Sequence, residues 1–143
     1  MKTGCYLTSR LLQFHILVFC LISLSTKSYA LTISRDGRPE CVIVQQAEAT
    51  APEKHAVREL ASTLSQITGA DFAVVTAPSE APAKAIIVGQ GQIAKSLFPE
   101  VEFDKLGQEE IIIKTKGDML LLAGGRPRGT LYAVSQFLQE NCG

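Results

Sequence analysis

The feature that most constrains the fold is a change in the spacing of apolar residues near Thr50. Residues 41–44 form a short β-branched run, which is typical of a strand. Thr50-Ala51-Pro52-Glu53 then has the form of a capping box with a proline in the first helical turn, and Gly69 stands where a left-handed residue ends a helix. Between these signals apolar residues recur at helical spacing: Ala56, Val57, Leu60, Leu64 and Ile67. A strand followed directly by an amphipathic helix predicts an α/β fold.

Further runs continue this alternation of strands and helices. Strands are predicted at residues 31–33, 72–76, 85–88, 110–114 and 119–123, and helices at residues 93–97 and 130–140. The run at 85–88 is apolar throughout, as in a strand buried on both faces, and Lys116-Gly117-Asp118 predicts an antiparallel hairpin. We therefore expect an α/β (α+β) domain, in which a two-layer mixed β-sheet of about six strands carries two longer helices and one short helix.

The first thirty residues predict export. Lys2 and Arg10 give a positive start, and residues 11–24 are apolar except for three polar positions. Ser28-Tyr29-Ala30 presents small residues at the positions that signal peptidase requires, so we place the cleavage after Ala30. The apolar run is shorter than the roughly 20 residues of a membrane-spanning helix. We expect a signal peptide at 1–30, one domain at 31–143, a secreted or periplasmic location, and no membrane association after cleavage.

Charge and residue usage limit the possible partners of the mature domain. The chain has 14 basic and 14 acidic residues, and cleavage removes Lys2, Arg10 and Lys27 but no acidic residue. A slightly acidic domain with scattered basic residues argues against a nucleic-acid partner. His55 has no Cys or His at ligand spacing, so we expect no metal. Cys41 and Cys142 remain, and the sequence leaves open whether they pair.

Three patterns resemble motifs for dinucleotide binding, glycoside hydrolysis or a serine nucleophile, but none of them meets the structural requirements of that function. The segment at residues 89–94 matches the G-x-G-x-x-A dinucleotide fingerprint, but its helix is short and a second βαβ half is missing, so we expect no cofactor. Glu109 and Glu110 are neighbours on a strand and point to opposite faces, so they cannot flank one glycosidic bond. The serines on the predicted helices lack a G-x-S-x-G context. We expect no catalytic residue in this chain.

The most unusual segment lies between the last predicted strand and the last helix. Its candidate functional residues are Gly124, Gly125, Arg126, Arg128, Gly129 and Thr130. Glycines and two arginines before a helix N-terminus offer a site for a carboxylate or a phosphate. Alternatively, the glycines permit a tight turn and the arginines pair with acids of an adjoining domain. We therefore treat this loop as a candidate domain-contact or anion-binding loop.

Several blocks together resemble one family. They are residues 51–60, 67–70, 85–89, 110–114 and 121–134, and the last contains G-G-R-P-R-G-T-L-Y. In this order they resemble the N-terminal domain of α-glucuronidases of glycoside hydrolase family 67, and more broadly the non-catalytic domain of β-N-acetylhexosaminidases. The resemblance implies an α/β domain of mixed sheet and helices ahead of a (β/α)₈ barrel that carries the catalytic carboxylates. The chain ends at Gly143, where the family would continue, so we expect a domain truncated before its barrel.

The expected function is that of a non-catalytic accessory domain. It would pack against the catalytic barrel of an exported α-glucuronidase-like hydrolase that acts on xylan-type plant polysaccharide. The alternative is a stand-alone secreted carbohydrate-binding module with an oligosaccharide as its partner. Such a module needs aromatic platforms, yet Trp is absent. An exposed aromatic pair would favour the binding module, whereas a large exposed apolar patch would favour a missing partner domain.

Overall fold

The computed structural model describes residues 31–76, 78 and 82–142. The predicted signal peptide, its cleavage site after Ala30 and part of the Pro/Ala-rich loop lie outside the described residues. The strands are β1 (Ser34–Arg35), β2 (Arg38–Pro39), β3 (Val42–Gln45), β4 (Val74–Thr76), β5 (Ala85–Val88), β6 (Ile111–Lys116) and β7 (Met119–Gly124). The helices are α1 (Ala51–Thr68), α2 (Gln92–Leu97) and α3 (Gly129–Cys142), with a 3₁₀ turn at Phe103–Lys105. Among these helices none is both long and apolar enough to cross a membrane.

The main sheet has five strands in the order β4-β3-β5-β7-β6. The pairs β4–β3, β3–β5 and β5–β7 are parallel, whereas β6 pairs with β7 antiparallel across the predicted hairpin. β1 and β2 form a separate two-stranded ribbon. The predicted fold class, a mixed α/β domain, is therefore confirmed. Because β3, β5 and β7 are parallel and each leads toward a helix, the loops before α1, α2 and α3 meet at one end of the sheet.

Helix α1 forms as its sequence predicts. The Thr50 amide donates to Glu53 Oε2 over 2.7 Å, and the Glu53 amide donates to Thr50 Oγ1 over 3.5 Å, which completes the capping box. At the other end Gly69 has a φ of 69°, and its amide donates to the Ser65 carbonyl. Both caps satisfy backbone groups that a helix end leaves without partners. Ile67 differs from expectation, since it belongs to the apolar pattern but is 52% exposed.

The sheet is covered on both faces by apolar clusters. The first cluster joins α1 and α3 to the sheet through Ile43, Ile86, Val88, Leu120 and Leu122. On the opposite face α2 and the 3₁₀ turn contribute Ala94, Phe98 and Phe103, which pack against Val44, Ile87, Leu121 and Ala123. Every residue of β5 is 0% exposed, so the prediction of a strand buried on both faces is confirmed.

Two predicted strands begin at least two residues later than expected. Instead of a strand at residues 31–33, β1 begins at Ser34, because Asp36 and Gly37 both adopt positive φ and form the turn of a tight hairpin. The strand expected at 72–76 begins at Val74, opposite Ile43 of β3. The side chain of Phe72 is buried in the first apolar cluster instead of continuing the strand.

Candidate functional site

The candidate site is built from the three loops that follow β3, β5 and β7. In parallel α/β sheets this end of the strands is the usual position of a binding site. Glu53, at the start of α1, is 1% exposed although it is charged. Its carboxylate accepts hydrogen bonds from the Thr50 amide over 2.7 Å and from the Gln90 amide over 3.1 Å. Arg126 supplies two further bonds, from Nε and from Nη2, each over 3.2 Å.

The Arg126 guanidinium joins all three loops. Besides Glu53, Nη2 donates to the Gln90 carbonyl over 3.1 Å and to the Glu48 carbonyl over 3.2 Å. The Gln90 side-chain amide in turn donates to the Gly124 carbonyl over 2.7 Å. We call Glu53, Arg126 and Gln90 the strand-end cluster. It fixes the loops relative to one another by charge-assisted hydrogen bonds.

The strand-end cluster keeps Glu53 ionised. Burial raises the pKa of Glu53, but hydrogen bonds from the Thr50 amide, the Arg126 guanidinium and the Gln90 amide together outweigh burial, so its pKa lies below the ordinary value. A carboxylate with four donors, two of them from a guanidinium, is held in one position. This environment suits a structural ion pair and not a group that must exchange a proton with a substrate.

The glycines of the candidate loop allow close backbone packing. A Cβ on Gly124 would overlap the backbone of Gly129, and one on Gly125 would overlap the carbonyl of Gly107. The Gly125 amide donates to the Glu110 carbonyl over 2.8 Å, which joins this loop to the start of β6. The peptide bond between Arg126 and Pro127 is cis. These contacts account for the glycines without a ligand.

The two arginines of the loop have different surroundings. Arg126 forms an ion pair with Glu53 of its own domain, so it does not need an acid of another domain as its partner. Arg128 is exposed and makes no ion pair with any residue that the structure describes. Thr130 is buried, and its hydroxyl has no hydrogen-bond partner among the described residues. Contact of the loop with another domain therefore stays a prediction, and it now depends on Arg128.

The segment that matches the dinucleotide fingerprint is occupied by the protein's own carboxylates. The Gln90 amide donates to Glu53, and the Gln92 amide donates to Glu48 Oε1 over 3.2 Å. Backbone amides at this position would have to face a pyrophosphate in a nucleotide-binding domain. A Cβ on Gly91 would come within 2.5 Å of Gln46 Oε1, so this glycine makes room for a buried side chain.

Other candidate groups lie apart from the strand-end cluster. His55 is exposed and faces Glu59 at 4.0 Å on α1, and the described residues contain no group of three that could hold a metal ion. Glu110 accepts from the Gly107 amide over 3.1 Å as part of a turn. Cys41 and Cys142, the two cysteines of the described residues, do not form a disulfide there; burial raises the pKa of Cys41 to about 11 and also raises that of Cys142.

The aromatic residues of the described part do not form a platform. Phe72, Phe98, Phe103 and Phe137 are each at most 5% exposed and belong to the core. Tyr132 on α3 is 38% exposed, and it is the one exposed aromatic side chain among the residues described. A sugar-binding surface of paired aromatic rings is therefore not found in this part of the chain.

Comparison with known proteins gives one result that covers most of the chain. The sequence model of the family described as "Glycosyl hydrolase family 67 N-terminus" matches residues 34–137. The match begins with β1, contains the complete strand-end cluster and extends into α3. No curated protein matches the chain.

Proposed function

Since the chain belongs to the N-terminal domain family of glycosyl hydrolase family 67, we propose that it is the non-catalytic front domain of an exported α-glucuronidase-like enzyme. The match over residues 34–137 is the observation that carries this proposal. The catalytic domain belongs to the full-length polypeptide, and it removes glucuronic acid side chains from xylan-type polysaccharide. The signal peptide at 1–30 directs the enzyme to the periplasm or the medium.

The chemistry of the strand-end cluster supports a structural role. Glu53 is buried beside a guanidinium and is saturated with donors, so it cannot approach a glycosidic bond. Glycoside hydrolysis needs two carboxyl groups that face one bond at a separation of roughly 5 to 10 Å. The acids that belong to the cluster's loops, Glu48 and Glu53, instead bind backbone amides. The domain's contribution is then to orient and stabilise its catalytic partner.

The loop that contains Arg128 provides one contact that we propose with the catalytic domain. Arg126 anchors this loop to Glu53 and to the Gln90 and Glu48 carbonyls. The anchored backbone displays Arg128 to solvent at the start of α3. The anchored backbone fixes the position from which Arg128 projects, so less backbone entropy is lost when its guanidinium pairs with a carboxylate. We propose an acidic residue of the catalytic domain as its partner.

The activity is tested with the full-length polypeptide. We expect it to release glucuronic acid from glucuronoxylan oligosaccharides, and we expect residues 31–143 alone to release none. Isothermal titration of residues 31–143 with xylan oligosaccharides checks the alternative binding module. Saturable binding by this domain, together with a full-length protein that is inactive on glucuronoxylan, would overturn the proposal.

The contact is tested with Arg128→Glu in the full-length polypeptide. Reversal of the charge replaces an attraction by a repulsion, so the melting temperature of the full-length protein falls. Arg58→Glu is the matched control, because Arg58 is another exposed arginine but lies on α1 away from the loop. Equal effects of the two substitutions would exclude Arg128 as the contact.

A further inference from the structure

A groove opens at the end of the domain opposite the strand-end cluster. It lies between the C-terminal ends of α1 and α3, above β6 and β7 and beside the segment that precedes β1, and its volume is about 580 Å³. We call it the helix-end groove. Its lining includes Leu31, Ile33, Leu64, Ile67, Ile113 and Phe137.

The helix-end groove concentrates exposed apolar surface. Ile67 of α1 is 52% exposed and Ile113 of β6 is 36% exposed, and both line the groove. Among the described residues these are two of the four large apolar side chains that are exposed to this degree, the others being Val74 and Tyr132. Ile67 follows the same apolar periodicity as the buried face of α1, so its pattern is that of a core residue. Apolar side chains grouped in one exposed groove indicate a surface that a partner covers.

The lining of the helix-end groove also defines the chemistry of the partner. Its polar members are uncharged: Ser34, Thr68, Thr115 and Asn141. None of the described residues that line it carries a charged side chain. The centres of protein interfaces are depleted of charged residues, whereas sites for charged ligands provide counter-charges. The groove therefore fits an uncharged segment with apolar side chains.

The position of α3 favours the catalytic domain as the source of that segment. The last described residues of α3, Asn141 and Cys142, line the groove. The family is that of an N-terminal domain and its match ends within α3, at residue 137, so under the proposed function the polypeptide continues from this helix toward the catalytic domain. A tethered partner whose connection starts at the groove has a high effective concentration there. We infer that the helix-end groove binds an uncharged, apolar segment of the catalytic domain of the same polypeptide, an inference that rests on the proposed function.

Hydrogen exchange in the full-length protein tests the inference. After proteolytic cleavage between the domains, residues 31–143 are measured both in complex with the catalytic fragment and after separation from it. We expect backbone amides around Ile67 and Ile113 to exchange at least tenfold more slowly in the complex, and amides around Val74 to exchange equally in both states. Equal exchange around Ile67 and Ile113 in a complex that persists overturns this inference but not the proposed function. Dissociation of the two fragments after cleavage overturns this inference alone, because the proposed function is tested separately by the activity of the full-length protein.

A pair of substitutions provides a second test. Ile67→Asp places a charge in the groove, and Val74→Asp places one at an exposed apolar residue outside it. Both positions are exposed, so we expect the domain itself to tolerate both changes. We expect Ile67→Asp alone to weaken retention of the catalytic fragment by at least tenfold. Equal retention in the two variants, or a self-association of residues 31–143 that Ile67→Asp abolishes, would show that the catalytic domain is not the occupant.

Discussion

The guanidinium of Arg126 forms a two-point ion pair with the carboxylate of Glu53, although 73 positions separate the two residues in the chain. Glu53 completes the capping box of α1 by accepting from the amide of the N-cap residue Thr50, and Arg126 lies in the loop that leads into α3. The same carboxylate therefore caps one helix and holds the approach to another. Because Gln90 also donates to Glu53, the loop before α2 is fixed by the same group.

Removal of the guanidinium should destabilise the domain. Arg126→Met leaves the buried Glu53 carboxylate without its counter-charge and removes the bonds to the Gln90 and Glu48 carbonyls. Because 41% of the Arg126 side chain is exposed, we expect a loss smaller than that for a fully buried pair, about 2 kcal/mol in the free energy of unfolding. Urea denaturation of residues 31–143 measures it.

Two further variants check that explanation. Arg126→Lys keeps the charge but cannot make the paired bonds from Nε and Nη2, so it should recover less than half of the loss. Arg128→Met removes an exposed arginine of the same loop and should change the free energy of unfolding by less than about 0.5 kcal/mol. A loss for Arg128→Met as large as that for Arg126→Met would refute the assignment of the stabilisation to the ion pair.

The ion pair also makes stability depend on pH in a defined direction. The pKa of Glu53 is lower in the folded state than in the unfolded chain, where the pKa of a glutamate is about 4.3. The contribution of Glu53 to the free energy of unfolding is therefore complete above its pKa in the unfolded chain. It is lost as the pH falls through the lower pKa of the folded state. We expect the free energy of unfolding to decrease more steeply below about pH 4 in the wild type than in Glu53→Gln. Parallel pH profiles for the two proteins would contradict this explanation.

The local elements of the fold could be predicted because their signals lie within a few residues. The capping box of α1 needs Thr50 and Glu53, three positions apart, and the all-apolar strand β5 is continuous in the sequence. The strand expected at residues 31–33 was misplaced, and the pairing of β1 with β2 was not predicted, because the Asp36–Gly37 turn, and not the apolar run before it, sets the pairing.

The strand-end cluster could not be predicted in full. The sequence identified Glu53 as a cap and Arg126 as a candidate site residue, but it contains no local signal that joins them. Gln90 enters the sequence analysis only as part of the segment that matches the dinucleotide fingerprint, and its side-chain bond to Gly124 spans 34 positions. Likewise, apolar periodicity predicted the face on which Ile67 lies, but it could not predict that this residue is 52% exposed.

The candidate loop should tolerate a side chain at Gly125 poorly. A Cβ there would overlap the Gly107 carbonyl, and backbone on both sides would have to move. We expect Gly125→Ala to lower the free energy of unfolding by at least about 3 kcal/mol, as for a severe steric conflict. Thermal and urea unfolding of residues 31–143 provide the measurement.

Gly117→Ala is the matched control for that steric effect. Gly117 has a φ of 58° in the β6–β7 turn, but a Cβ at this position meets no atom within 4 Å. The alanine suffers from backbone strain alone, which costs about 1 to 2 kcal/mol. If Gly125→Ala is no more destabilising than Gly117→Ala, close packing of the loop against Gly107 is not what requires glycine there.

Gln46 is a buried polar residue, and its replacement by an apolar side chain of similar size should stabilise the domain. It is 1% exposed, and neither its amide nitrogen nor its amide oxygen has a hydrogen-bond partner among the described residues. Burial of an amide without partners costs free energy, whereas an apolar side chain of similar shape avoids that cost. We expect Gln46→Met to raise the free energy of unfolding by about 1 kcal/mol. Gln46→Ala should lower it, because the truncation leaves a cavity beside Gly91. A lower stability of Gln46→Met would show that the amide has a partner in solution, such as a buried water.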